Sequence, residues 1–271
     1  MSKFPDRRDA FAEDESLRHS RIAEQIVNYL LLIGSPVILL AVWQLAGDRG
    51  VLNLSIVPTP KTILDALVAF TVSGRLADYF LASFVRVVAG FAIGAGSGLL
   101  IGALGGISVK FAYATAVVLG VLRPIPMIGL LPLFILWFGI DEWSKILVIA
   151  MGAIWPVLLN TEGGIRNVDP KHIEVARILM KDKATVLRKI IFPSAVPSLL
   201  TGLRLGFSTA WRGIVASEMI GASAGVGYLI SYARELSQPA VMFLGLFIIG
   251  TVGILIDIVL QRLEKRLLRW V

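Results

Sequence analysis

The chain has 271 residues, 56% of them hydrophobic and 17% charged, with a mean hydropathy of +0.79 and a formal net charge of +7. A soluble domain of this size carries about 25% charged residues, so a soluble globular protein is excluded. The absence of cysteine excludes disulfide frameworks, thiolate metal sites and cysteine nucleophiles.

Residues 1–25 are polar and mixed in charge and read as a cytoplasmic tail, with a short helix expected near Glu13–Glu24. The apolar block after them is too long for the core of a signal peptide. About 20 apolar residues cross a bilayer as a helix, and six blocks approach that length. The first is Ile26–Ala46. Residues 48–78 carry turn signals at Pro58, Pro60 and Ser73-Gly74 and read as an extracytoplasmic excursion with helix around Thr62–Thr71. The second span is Tyr79–Val109, interrupted only by Arg86. The third, Phe111–Ile140, is broken by Pro124, Pro126 and Pro132. The fourth is Ile146–Thr161, followed by a polar, basic loop over about 162–193. The fifth is Val196–Ile220 and the sixth Val241–Ile256. The tail 261–271 is basic and amphipathic, suited to the membrane interface and its lipid. Four regions result: a tail (1–25), a first helix with its extracytoplasmic segment (26–78), a core (79–260) and the C-terminal tail.

Of the 26 lysines and arginines, seventeen then fall on one side, five on the other and four (Arg86, Arg123, Arg204, Arg212) within spans. This asymmetry puts both ends in the cytoplasm and explains the basic excess without nucleic acid as a partner. Gly90, Gly94, Gly98, Gly102 and Gly106 recur every fourth residue. On a helix they share one face, where another helix can approach closely.

No G-x-x-x-x-G-K-[ST] stretch is present, so the chain has no P-loop of its own. Two histidines without cysteine make no zinc site, and no constellation suggests an enzyme or any cofactor in this chain. Charges within a span cost about 2.5–3.5 kcal/mol on insertion scales and face a cavity or a partner. Arg204, near the inner end of its span, is expected to snorkel or to bind backbone carbonyls. Arg212 and Glu218 do not share a helix face, so each needs a partner from elsewhere, with Arg123 a candidate for Glu218. Arg212 is expected to line a pathway and favour an anion, the alternative being a pair that fixes helix packing.

The loop supplies the most specific motif. Asp169 is placed to cap a short helix that Pro170 opens. Within Glu174-Val-Ala-Arg-Ile-Leu-Met180 and on to Ile190 and Pro193, Glu174, Ala176, Ile190 and Pro193 fall in the register of the EAA loop of ABC importer permeases. The sequence resembles that family. Met180 stands where the family has a turn glycine, and Pro193 is expected to stop the second helix of the loop. The stretches Arg123–Ile140, Thr201–Arg204, Trp211, Glu218 and Gly221–Leu229 are similar to the nitrate, sulfonate and taurine branch, and most like aliphatic sulfonate permeases. The resemblance runs from about Ile38 to the C-terminus.

The resemblance implies an all-α membrane protein of the type I ABC importer permease fold, MetI-like, in a bacterial inner membrane. It implies a homodimer around a translocation pathway, two cytoplasmic ATPase subunits that bind ATP and magnesium, and an extracytoplasmic solute-binding protein. Glu174, Ala176, Arg177, Met180 and Lys181 are the expected contacts with the ATPase. Arg123, Pro124, Pro126, Trp211, Arg212 and Glu218 are the expected pathway residues. A small anion such as a sulfonate, taurine or nitrate is the expected solute. The alternative is a secondary transporter driven by an ion gradient, against which stand the missing internal repeat and the scarcity of intramembrane charge.

Overall fold

A computed structural model describes residue 31 and residues 34–269. The helix expected at Glu13–Glu24 and the opening of the first expected span lie outside the described residues. Every regular element among the described residues is helical, and the chain divides into two units, before and after Leu64.

In the first unit, α1 covers 34–48, and α2 (Pro60–Val72) begins near its end and continues into the second unit. The Gln44 side chain accepts from the Lys61 backbone N–H at 3.0 Å and donates to Asp48 at 2.9 Å. One amide thus joins the last turn of α1 to the first turn of α2, where N–H groups have no helical acceptor.

The second unit contains α3 (Arg75–Ile107), α4 (Val109–Leu122), α5 (Met127–Phe138), α6 (Glu142–Arg166), α7 (Pro170–Ile178), α8 (Lys183–Val186), α9 (Phe192–Glu218), α10 (Val226–Glu235) and α11 (Pro239–Leu267). Four helical stretches, 75–107, 142–166, 183–218 and 239–267, are long and apolar enough to cross a membrane. The pair α4–α5, its halves meeting at 94°, meets the same length and composition test jointly and makes a fifth if it crosses as one broken span. The bend falls at Arg123-Pro124-Ile125-Pro126, where neither proline has an N–H to continue the helix.

Two sequence expectations need correction. Pro193 does not stop a helix: α8 runs through a π-helical turn, Leu187–Ile191, directly into α9. The Phe192 amide donates to the Leu187 carbonyl, five residues back, and this wider turn accommodates the proline that follows. The helix α10, between the fifth and sixth expected spans, was not anticipated; it starts after Gly225 rather than after a periodic apolar run.

The core lies where α3 and α9 close on α6, around Val87, Ile149, Ala153, Ala210, Trp211 and Ile214. Apolar side chains gain little by meeting each other in lipid, so close backbone approach and dispersion must hold the helices together. A Cβ on Gly98 would lie 2.7 Å from the Ile154 carbonyl oxygen, and one on Gly102 would lie 2.6 Å from that of Leu158. Across α6, Cβ atoms on Gly202 and Gly206 would lie 2.7 Å from Asn160 Cβ and Val157 Cγ2. Any side chain at these positions would push the helices apart.

Candidate functional site

The α6–α9 connection begins with α7. Asp169 caps it, its carboxylate accepting from the Lys171 N–H at 2.9 Å, and Pro170 occupies the first turn. The helix closes through a paired turn in which Met180 N–H donates to the Arg177 carbonyl at 2.9 Å and Lys181 N–H to the Ala176 carbonyl at 3.0 Å. Such a turn needs a left-handed residue, usually glycine, and Met180 takes that conformation at φ 50. Asp182 then caps α8, accepting from the Thr185 amide at 3.1 Å and from its hydroxyl at 2.5 Å. Those bonds hold the Asp182 carboxyl below its ordinary range.

Of the five residues expected to contact an ATPase, Glu174, Arg177, Met180 and Lys181 are exposed, Met180 at 93%. Ala176 is not: at 2% exposure it sits on the inward face of α7, which corrects its expected role as a surface contact. Ile178 and Leu179, absent from the expected set, are exposed at 79% and 60%. A shallow depression beside α7 is lined by His172 and Val175 of that helix, Lys189 and Ile190 of the π turn, and Pro193 and Ser194.

At the opposite ends of α6 and α9 lies a buried charge cluster. The Arg86 guanidinium donates to both oxygens of Glu142 at 2.6 and 2.9 Å, to Glu218 at 2.6 Å and to the Ala224 carbonyl at 2.6 Å. Glu218 also accepts from Ser83 Oγ at 2.9 Å and from the Gly227 N–H at 2.9 Å, and Lys145 reaches Glu142 at 2.9 Å. Glu218 is 1% exposed and Trp211 1%, with the Trp211 ring nitrogen donating to the Ile249 carbonyl at 2.9 Å. Both are buried in the helix packing of the chain, and Trp211 also borders a groove between α9 and α11. The partner of Glu218 is Arg86, not Arg123.

The other intramembrane arginines differ among themselves. Arg204 neither snorkels nor binds carbonyls: its Nε lies 3.0 Å from Glu264 across α9 and α11, with Asp257 at 3.8 Å. The Nε–H is not aligned for a hydrogen bond, so the contact is electrostatic. Arg212 is exposed beside a groove of about 470 Å³ that also contains Asp257, and its Nε–H donates to the Ser208 carbonyl of its own helix at 3.2 Å. Arg123, with Pro124 and Pro126, is exposed at the α4–α5 bend and has no ion pair among the described residues. It closes one end of a groove of about 410 Å³ walled by Tyr113, Trp155, Leu158 and Leu159, with the Glu162–Arg166 pair also lining it.

Closely packed apolar helices, a bent apolar pair, and a capped polar helix between two spans define a multi-pass membrane subunit. The chain belongs to the family of binding-protein-dependent transport system inner membrane components, whose model matches residues 98–269. It is 44% identical over 235 residues to the putative aliphatic sulfonates transport permease protein of Bacillus subtilis (strain 168), covering 87% of this chain and 85% of the relative. It is 30% identical to the taurine transport system permease protein of Escherichia coli (strain K12), covering 89% of each chain. It is 35% identical to the nitrate import permease protein of Synechocystis, covering 84% of this chain and 85% of that one. Among solved structures, an amino acid ABC transporter with histidines matches with a TM-score of 0.62 at 20% identity over 76% of this chain and 98% of that chain. The inward-facing MetNI methionine ABC transporter matches at 0.56 and 23% identity over 68% and 90%. The fold is that of type I importer permeases, and the chain is an ABC importer permease of the sulfonate, taurine and nitrate branch, a transport subunit and not an enzyme. Nothing in that membership favours an ion-gradient-driven transporter.

Proposed function

We propose that two copies of this chain form a pathway for a small anion, with transport driven by ATP and magnesium bound on two separate cytoplasmic ATPase subunits and solute delivered by an extracytoplasmic binding protein. In this arrangement α7 and both chain termini lie in the cytoplasm. The observation that carries the reading is the α6–α9 connection. It sets a short helix, capped at both ends, outside the spans and exposes Ile178, Leu179 and Met180 on it. Apolar side chains this exposed on an otherwise polar helix gain from a protein partner. Glu174, Arg177 and Lys181 surround them and give that contact its charge pattern. The names of the relatives support an anionic solute, and Arg123, without an ion pair among the described residues, supplies a charge on its groove to meet one.

The test is reconstitution in vesicles with the ATPase and binding protein, offering ethanesulfonate, taurine and nitrate in turn. ATP-dependent uptake of at least one is expected, and Glu174→Arg abolishes it while the chain still inserts. Uptake that continues without ATP, or that survives both Glu174→Arg and Met180→Asp, overturns the reading.

A further inference from the structure

Helix α6 is gripped on one side by the glycines of α3 and on the other by Gly202 and Gly206 of α9. On the α3 side the packing interdigitates, with Ile149, Val157 and Ile165 of α6 set against Gly90, Gly98 and Gly106, so the register of α3 and α6 is fixed along their length. The charge cluster at the outer end adds a polar tie that takes in the end of α9 and the loop after it. Arg86 stands on α3, Glu142 and Lys145 on α6 and Glu218 on the last turn of α9. With two cations and two anions the cluster is neutral, and the guanidinium fork engages both carboxylates at fixed angles.

The cluster also shapes the loop that follows α9. Ser83 accepts from the Val226 N–H at 2.8 Å, Glu218 accepts from the Gly227 N–H, and Arg86 donates to the Ala224 carbonyl. Gly225 lies at φ +129, where a Cβ would collide with the Glu218 carboxylate, and Gly221, at φ +72, is pressed against Ile140 in the α5–α6 turn. The segment 219–225 is thus wrapped around the Glu218 carboxylate and bonded to α3. Through Glu142, half-exposed, the cluster reaches the surface.

The two helices that meet at Arg86 are the two that leave the coupling loop. We infer that Arg86 is a positioning residue for transport: it holds Glu142, Glu218 and the Ala224 carbonyl at once, so the outer ends of α6 and α9 and the 219–225 loop move as one piece when α7 is displaced. This rests on the ATP-driven reading above. Without Arg86 the end of α9 and the 219–225 loop would lose their polar tie to α3 and α6, and nucleotide-driven movement would dissipate before reaching the outer mouth.

The experiment compares the parent complex, reconstituted with ATPase and binding protein, with Arg86→Lys and with the paired Arg86→Met/Glu218→Gln variant. Lysine keeps the charge but cannot bridge three acceptors in fixed geometry. The paired variant leaves no unmatched charge in the cluster. The readouts are assembly, basal ATP hydrolysis, uptake of ethanesulfonate, taurine and nitrate per ATP hydrolysed, and hydrogen exchange at the Val226 and Gly227 amides. The expected result is an assembled complex with parental basal hydrolysis, uptake per ATP lower by tenfold or more, and faster exchange at both amides. Parental uptake per ATP in either assembled variant overturns the inference. So does failure of both to assemble, which would leave Arg86 a purely structural residue. A parent complex that takes up none of the three solutes with ATP contradicts the ATP-driven reading itself, before either variant is considered.

Discussion

The Lys181 amide donates to the Ala176 carbonyl at 3.0 Å, and the chain closes this bond by holding Met180, between them, in the left-handed region at φ 50. An L side chain in that region costs about 1–2 kcal/mol. Met180→Gly is therefore expected to stabilise the turn by about 1 kcal/mol, part of the gain being offset by the greater freedom of glycine in the unfolded chain. Slower hydrogen exchange at Lys181 is the check. Uptake should fall in the same variant, because the exposed thioether is lost; slower exchange with faster uptake would show that Met180 is not a contact.

At the glycine face the expectation is steric. A Cβ on Gly98 would come within 2.7 Å of the Ile154 carbonyl oxygen, a contact that α6 backbone cannot relieve by rotating a side chain. Gly98→Ala should destabilise the chain by about 1–3 kcal/mol through overpacking. Gly96→Ala, two residues away with nothing within 4 Å of the added carbon, should be neutral or slightly stabilising. Thermal unfolding of the purified complex in detergent compares the two, and equal midpoints would mean that the α3–α6 contact is looser than described.

The unequal surroundings of the arginines separate Arg123 from Arg212. Neither has an ion pair among the described residues, and each groove holds a carboxylate, Asp257 with Arg212 and Glu162 with Arg123; the difference is that Arg212 is turned back onto the Ser208 carbonyl of its own helix, while Glu162 is already paired with Arg166. Uptake of an anionic solute should drop roughly tenfold in Arg123→Gln, equivalent to about 1.4 kcal/mol of interaction, and change much less in Arg212→Gln. The opposite order in a vesicle uptake assay would return Arg212 to the role its sequence position suggests.

Asp182 gives a pH dependence of known sign. Bonds from the Thr185 hydroxyl and amide keep its folded-state carboxyl below the ordinary value. Its contribution to the start of α8 is then complete above the ordinary carboxylate range and is lost as the pH falls through the depressed folded value. Asp182→Ala should reduce protection of the Thr185 amide at neutral pH, and the difference from the parent should close in acid. A difference that persists in strong acid would place the cap elsewhere.

What the sequence revealed depended on how local the cause was. Asp169 and Pro170 announced α7 because caps are read from adjacent residues, and the glycines announced a close helix contact because their spacing matches the helical repeat. The pairing of Arg86 with Glu218 spans 132 residues and the five helices α4 to α8, and nothing in either neighbourhood points to the other. Glu264 was hidden from Arg204 in the same way. Pro193 misled because proline ordinarily ends a helix, and the π turn that lets α9 continue through it leaves no mark in composition. Ala176 misled because a short polar helix still has an inward face.

The continuity of α8, the π turn and α9 makes the stretch 183–218 one unbroken helical run of 36 residues. At 1.5 Å per residue it is about 54 Å long, more than the apolar thickness of a bilayer, so one end stands clear of the membrane beside α7. A tilt of about 5° about its middle displaces each end by roughly 2 Å in opposite directions, by the same helical geometry. In the dimer proposed above, such a tilt turns a push towards the dimer axis at the α7 end into a pull away from it at the far end.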